Sequence, residues 1–208
     1  MSNDRLLKEM ERQDKYLEQL PQDFTFPLFN SKRALESQRK SGYRNSAAAA
    51  REIVDNAMEA GASRIDVLFD TPREKNRQAH QRRNSVIRVA FIDDGAGMSP
   101  KMARFALSWG GGTHFEDGDA EFIGKFGFGL PNASINQTRR VEVYSRRSAD
   151  EPFYRAWLDL EEHTGEGNVQ HVPEPIQSEL PDFVQEYLKR EKWTLGRGTV
   201  VVWVNPDH

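Results

Sequence analysis

The stretch NSAAAAREIVDNAMEAGA, residues 45–62, constrains the chain more than any other. Alanines favour a helix, Asn45 or Ser46 can cap its start, and Gly61 can stop it. Ile53, Ala57 and Ala60 give that helix a single apolar stripe, which has to be covered by a sheet or by other helices. Beside the stripe stand two polar residues, Glu52 and Asn56. They are four positions apart and therefore stack on one face. A carboxylate and a carboxamide held at the edge of a core need a reason.

What surrounds this helix reads as alternating strands. "SRIDVLFD" (63–70) and "SVIRVAFID" (85–93) form a hairpin around a polar, basic loop. That loop carries Arg73, Lys75, Arg77, Arg82 and Arg83 against Glu74, and reads as a solvated hairpin tip rather than a DNA patch. Residues 99–108 predict a short helix. From Trp109 to Gly129 the glycine density predicts a mobile loop, and a helix then runs to about Gln137. "RVEVYSRR" (140–147), "FYRAWLDL" (153–160) and "GTVVVWVNP" (198–206) read as strands, with an amphipathic helix over 182–193. Short turns between successive strands point to an α+β fold, a largely antiparallel sheet with helices layered on one face.

Composition removes several function classes. With no cysteine, disulfides, thiol catalysis and cysteine–zinc sites are excluded. The five histidines show no HExxH spacing. A net charge of −3 argues for no global nucleic-acid or membrane attraction. No apolar run is long enough for a membrane span, so a cytoplasmic protein is expected. Residues 1–30 read as a separate N-terminal arm. A polar helix with a thin apolar stripe (Leu6, Leu7, Met10, Leu17, Leu20) leads there into the aromatics Phe24, Phe26 and Phe29. Residues 31–208 form the main domain.

Two glycine-rich stretches extend the site. "IDDGAGMS" ends a strongly apolar strand, so Asp93 lies at a strand end, where its carboxylate can accept from an exocyclic amine. Gly95 and Gly97 there let the backbone turn tightly and approach a ligand. Asp94 reads as a turn residue. In "GKFGFGLPNAS", Gly124, Gly127 and Gly129 precede a helix whose free N–H groups suit an anion. The stretch fits neither a Walker A loop nor a dinucleotide fingerprint. The glycines at 110–112 read as loop flexibility, His114 as a bystander, and the four tryptophans as core or loop anchors.

Taken in order, these stretches resemble the GHKL ATPases: gyrase B subunits, heat-shock chaperones, sensor histidine kinases, and MutL and MORC proteins. "EIVDNAMEAGA" looks like their N box, "DDGAGM" their DxGxG box, "GKFGFGL" the glycine box that ends the ATP lid, and "GRGTVV" the last box. The wording "DNAMEAGAS" is nearest the MutL and MORC branch. The resemblance implies a Bergerat fold, a two-layer α/β sandwich that binds ATP with Mg²⁺. It implies that Glu52 is the general base for the attacking water and that Asn56 gives its oxygen to Mg²⁺. Asp93 would accept from adenine N6 with Thr199 in support. Gly97 and the lid backbone would flank the base and phosphates and Lys125 could reach a phosphate, with Gly95, Met98, Gly127, Phe128, Gly129 and Leu130 counted beside them as nucleotide-binding.

It further implies ATP-driven lid closure and homodimerisation through the N-terminal segment. A lysine from a transducer-type domain or a partner protein would complete the site. DNA is left open as a partner, in genome maintenance or defence. Two other readings use the same pocket. One is histidine-kinase phosphotransfer, for which no helical hairpin bearing a phosphorylated histidine is present in the sequence. The other is a sensor that binds ATP without hydrolysing it.

Overall fold

A computed structural model describes residues 36–37, 39–40, 42–71, 86–108, 129–164 and 171–207. The lid 109–126, the basic loop 73–83, the N-terminal arm, and Lys125, Gly127 and Phe128 lie outside the described residues.

Six strands form one sheet: β1 (Ile65–Asp70), β2 (Arg88–Asp93), β3 (Arg140–Arg146), β4 (Tyr154–Asp159), β5 (Ile176–Gln177) and β6 (Gly198–Val204). Their order is β1-β2-β6-β3-β4-β5, and every pairing is antiparallel. The helices are α1 (Ser46–Glu59), α2 (Pro100–Ala106), α3 (Gly129–Gln137), α4 (Leu160–Thr164) and α5 (Asp182–Arg190). The α+β reading therefore holds, with a sheet wholly rather than largely antiparallel among the described strands.

Helix α1 starts as its sequence dictates. The Asn45 side chain caps it by accepting from the Ala48 amide at 2.8 Å. Its end is closed by Gly61, at φ +74, a conformation cheap only for glycine. Ala49, Ile53 and Ala57 are its buried residues. Ala49 and Ile53 join Ala103, Leu107, Ala133 and Ile135 of the α2 and α3 regions over Val89, Phe91, Val141, Val143, Val201 and Trp203. Trp203 anchors this layer: its ring meets Phe91 edge-on with centroids 4.8 Å apart, and its indole N–H donates to Ser134 Oγ at 3.0 Å.

The sheet's second face is covered too, which differs from the expectation of helices on one face. Ala90, Ile92, Tyr144, Val200 and Val202 pack with Leu180, Val184 and Leu195, so α5 lies opposite α1–α3. The physical reason is in the central strands. β2 and β6 are buried along nearly their whole length, which alternate-facing side chains achieve only when both faces are covered. Arg64 stacks on Trp193 and Arg88 on Phe183, closing the rim of this second layer. Among the described residues no helix is long and apolar enough to cross a membrane.

Candidate nucleotide site

One end of the sheet gathers three chain segments around Asp93. Asp93 is the last residue of β2 and faces Thr199 of β6 in register. Burial pushes its carboxyl up to about 6, although the backbone amides of Gly95 and Thr199 both hydrogen-bond to it. The Gly95 amide donates to Oδ1 at 2.9 Å. A carboxylate that costs this much to bury, and is still held by two amides, offers its remaining lone pairs outward as acceptors.

The glycines are required by close approach. Gly97 has φ +68, and a Cβ there would run into the Arg146 carbonyl. Gly198 has φ +129, and a Cβ there would run into the carbonyl of Asp93 itself. A Cβ on Gly95 would crowd Asp93 Oδ1 at 2.9 Å and the Ala60 carbonyl at 3.0 Å. The turn 94–97 is thus laid directly on the ends of α1, β3 and β6. Ala96 N–H donates to the Ala60 carbonyl at 2.9 Å, which fastens this turn to α1.

Ser145, at 1% exposure, is a hub with no signal in the sequence. Its Oγ accepts from the Met98 amide at 2.8 Å, donates to the Gly198 carbonyl at 3.0 Å, and lies 3.0 Å from Thr199 Oγ1. Met98 thus has its amide committed to Ser145, and its side chain packs against the main core. Asp94 serves the neighbouring turn. Its carboxylate accepts from the Ser63 amide (2.7 Å), the Arg64 amide (2.8 Å) and Ser63 Oγ (2.6 Å). Burial pushes this carboxyl up, but those bonds outweigh it and hold it below the usual range.

The second half of the site lies along α1. Glu52, Asn56 and Ala60 follow one another at helical spacing, so each step moves about 6 Å toward the Asp93 rim. Asn56 is half-buried, and its side chain makes no hydrogen bond among the described residues. The Glu52 carboxylate lies against Gly129, the first residue of α3; a Cβ on Gly129 would occupy the place of Oε1. Burial, then the charges of Asp55 and Glu59, raise the Glu52 pKa, and a hydrogen bond with the Tyr43 side chain opposes them. Tyr43 is the other residue that the sequence patterns leave unmarked. Leu130 packs against the main core, so any ligand contact it makes is through its backbone.

The structure therefore brings Asp93, Gly95, Gly97, Met98 and Thr199 into one rim, and Glu52 with Gly129 into a second. Asn56 lies between them on the shared helix. Among the described residues no group of three or more His, Cys, Asp or Glu could hold a metal ion. The donor set still fits Mg²⁺, which is commonly held by one or two protein oxygens, waters and substrate phosphates, and the unengaged Asn56 carboxamide is such an oxygen. A groove at the other end of α1 is lined by neither Asn56 nor Asp93.

Known proteins resemble this chain in sequence and in fold. The profile of the family described as "Histidine kinase-, DNA gyrase B-, and HSP90-like ATPase" matches residues 43–194. The human MORC family CW-type zinc finger protein 1 is 36% identical over 96 residues, 46% of this chain and 9% of that protein. The DNA mismatch repair protein MutL of Paramagnetospirillum magneticum is 37% identical over 108 residues, 50% of this chain and 16% of that protein. The chain thus spans a small part of the length of these relatives. A crystal structure of the N-terminal domain of a DNA repair protein superposes with a TM-score of 0.52 at 14% identity, over 83% of this chain and 39% of that one.

Proposed function

Because the chain belongs to the histidine kinase-, DNA gyrase B- and HSP90-like ATPases, we propose that its two rims are the adenine and phosphate ends of one Mg·ATP site that hydrolyses ATP. The observation that carries this reading is the single helix α1. It holds Glu52 against Gly129 at one point and, two turns on, meets the Asp93 turn through Ala60.

The roles follow from what each group can do. Asp93, ionised above pH 6, accepts from the adenine exocyclic amine, while the Gly95 and Thr199 amides fix its orientation. Ser145 locks Met98 and Thr199 around it. At the other end the free N–H groups of α3 face phosphate. Lys125, Gly127 and Phe128 precede them in sequence and are assigned to the same phosphates. The Asn56 oxygen would hold Mg²⁺, which when bound neutralises phosphate charge. Glu52 takes the proton of the water that attacks the γ-phosphorus, as the bond to the bridging oxygen breaks and ADP leaves. The raised pKa of Glu52 suits a proton acceptor.

Lid closure over residues 109–126, dimerisation through residues 1–30, a lysine from a transducer-type domain or partner, and a DNA-linked role in maintenance or defence belong to the same proposal. The test is a pair of variants. Glu52→Ala should abolish single-turnover hydrolysis and spare ATP binding by calorimetry. Asn56→Ala should lose the Mg²⁺-dependent part of the affinity. Equal loss of binding in both variants would refute this division of labour. ATP binding by the unaltered chain without hydrolysis would leave a sensor in place of an enzyme.

A further inference from the structure

The groove at the N-terminal end of α1 has a volume of about 760 Å³ and a lining unlike that of the nucleotide site. Arg39, Lys40, Arg44 and Arg139 face it, against the carboxylates of Glu36 and Asp207. Four cations over two acids is a local excess in a chain whose net charge is −3. Asp207 is already paired with Arg39, so Lys40, Arg44 and Arg139 remain, all exposed and with no ion pair among the described residues.

The groove is held by more than chance proximity. Arg39 Nε donates to the Ile135 carbonyl at 3.1 Å, and Asn136 Nδ2 donates back to the Arg39 carbonyl at 2.8 Å. These bonds fix the segment before α1 to the C-terminal end of α3. A Cβ on Gly42 would collide with the Asn136 side chain, so the two segments are in direct contact. The consequence is that Arg39 and Arg139 are kept close: burial and then the Arg139 charge lower the Arg39 pKa. Like charges held together over an open groove favour an anion between them.

The lining decides which anion. An apolar small molecule finds no apolar wall. A membrane surface would call for apolar side chains beside the cations, yet none of the exposed large hydrophobics Met58, Val67, Phe69, Phe105 and Ile176 lines the groove. Single-stranded nucleic acid would use aromatic faces for stacking. Among the described residues that line it the one aromatic is Tyr43, partly buried against the core with its hydroxyl bonded to Glu52. Cations on an open, polar rim without stacking or apolar partners suit a regular run of phosphates.

We propose that the groove formed by Arg39, Lys40, Arg44 and Arg139 binds the phosphodiester backbone of duplex DNA, at a site separate from the nucleotide pocket. Tyr43 lines this groove and also bonds Glu52, so a seated backbone touches the residue that holds the general base. That link rests on the ATPase reading; the binding site does not.

The test uses the full chain and a short fluorescein-labelled duplex of mixed sequence, followed by anisotropy over a series of NaCl concentrations. The double variant Arg44→Ala/Arg139→Ala should bind about tenfold or more weakly at low salt. Its slope of log affinity against log salt should fall by about two, one for each phosphate left without its arginine. Arg190→Ala, an exposed cation on α5, should change neither. ATP calorimetry on the same variants should be unchanged, which keeps a failure here distinct from a failure of the ATP site. Wild-type affinity and slope in the double variant would overturn the proposal and move the binding surface elsewhere, for instance to the basic run at 73–83. Absence of duplex binding by the unaltered chain at low salt, or tighter binding to phosphatidylserine vesicles than to the duplex, would overturn it as well.

Discussion

The Glu52 carboxylate occupies the space that a side chain on Gly129 would need. The glycine at the start of α3 therefore has two jobs. It leaves the helix N-terminus open to an anion, and it lets the carboxylate come within contact of that anion. Gly129→Ala should displace Glu52 and lower turnover by about 10²-fold or more, the lower end of what a positioned base contributes. ATP affinity should fall far less. Steady-state kinetics beside calorimetry checks this; unchanged kcat would mean that Glu52 moves aside without consequence.

Asp93 sets stability against binding. Its folded pKa of about 6 lies above the ordinary 3.8, so the folded state holds this proton more tightly than the unfolded chain. The stability this contributes is fully present below the unfolded value and is lost as pH rises through about 6. At neutral pH the buried charge costs on the order of 3 kcal/mol. Asp93→Asn should therefore raise the unfolding midpoint at pH 7.5 while weakening ATP binding by about 1–3 kcal/mol, because an amide presents a donor to the adenine amine. A variant with lower stability and unchanged affinity would refute both halves.

Tyr43 controls the same property of Glu52. Its hydrogen bond lowers the Glu52 pKa, against burial, Asp55 and Glu59, which all raise it. In Tyr43→Phe the Glu52 pKa should rise further, so the acidic limb of the kcat profile moves to higher pH while KM for ATP stays put. A uniform drop in kcat with no shift of the limb would mean that Tyr43 only packs.

Ser145→Ala removes the shared partner of the Met98 amide, the Gly198 carbonyl and Thr199 Oγ1. Leaving these groups unsatisfied in a buried place should cost about 1–3 kcal/mol in denaturant unfolding. ATP affinity should fall with it, since the rim around Asp93 loosens. Val at this position, which fills the space of the hydroxyl with methyl groups but restores no hydrogen bond, should not rescue it.

The helix α1, its cap at Asn45 and its stop at Gly61 were legible because each depends on neighbours within one turn. The residues Asp93, Gly95, Gly97 and Thr199 were legible as separate short stretches, and the sheet order brings them together. Ser145 and Tyr43 were not. Ser145 is an ordinary polar position on a strand until β6 is placed beside it. Tyr43 precedes α1 by a few residues, and only the folded chain turns it toward Glu52. The face covered by α5 had a signal in the run VVVWV, where Val200 and Val202 are as apolar as Val201 and Trp203. A strand with one wet face alternates, and this one does not. The strand β5 and the helix α4 are too short to leave a periodic pattern.

β6 is the last of the described strands in sequence, yet it stands between β2 and β3 at the middle of the sheet. During synthesis, β2 emerges from the ribosome more than a hundred residues before its partner is complete. At about 5–20 residues per second, that wait lasts roughly ten seconds. Through that interval the inner edge of β2, which is strongly apolar, has no strand to pair with, and once β3 is made its inner edge waits too. From the synthesis of β3 onward two strand edges are open at once, and β6 closes both. Its folding in the cell should therefore depend on chaperones that hold the growing chain open, and truncation before residue 198 should yield aggregates rather than a smaller folded unit.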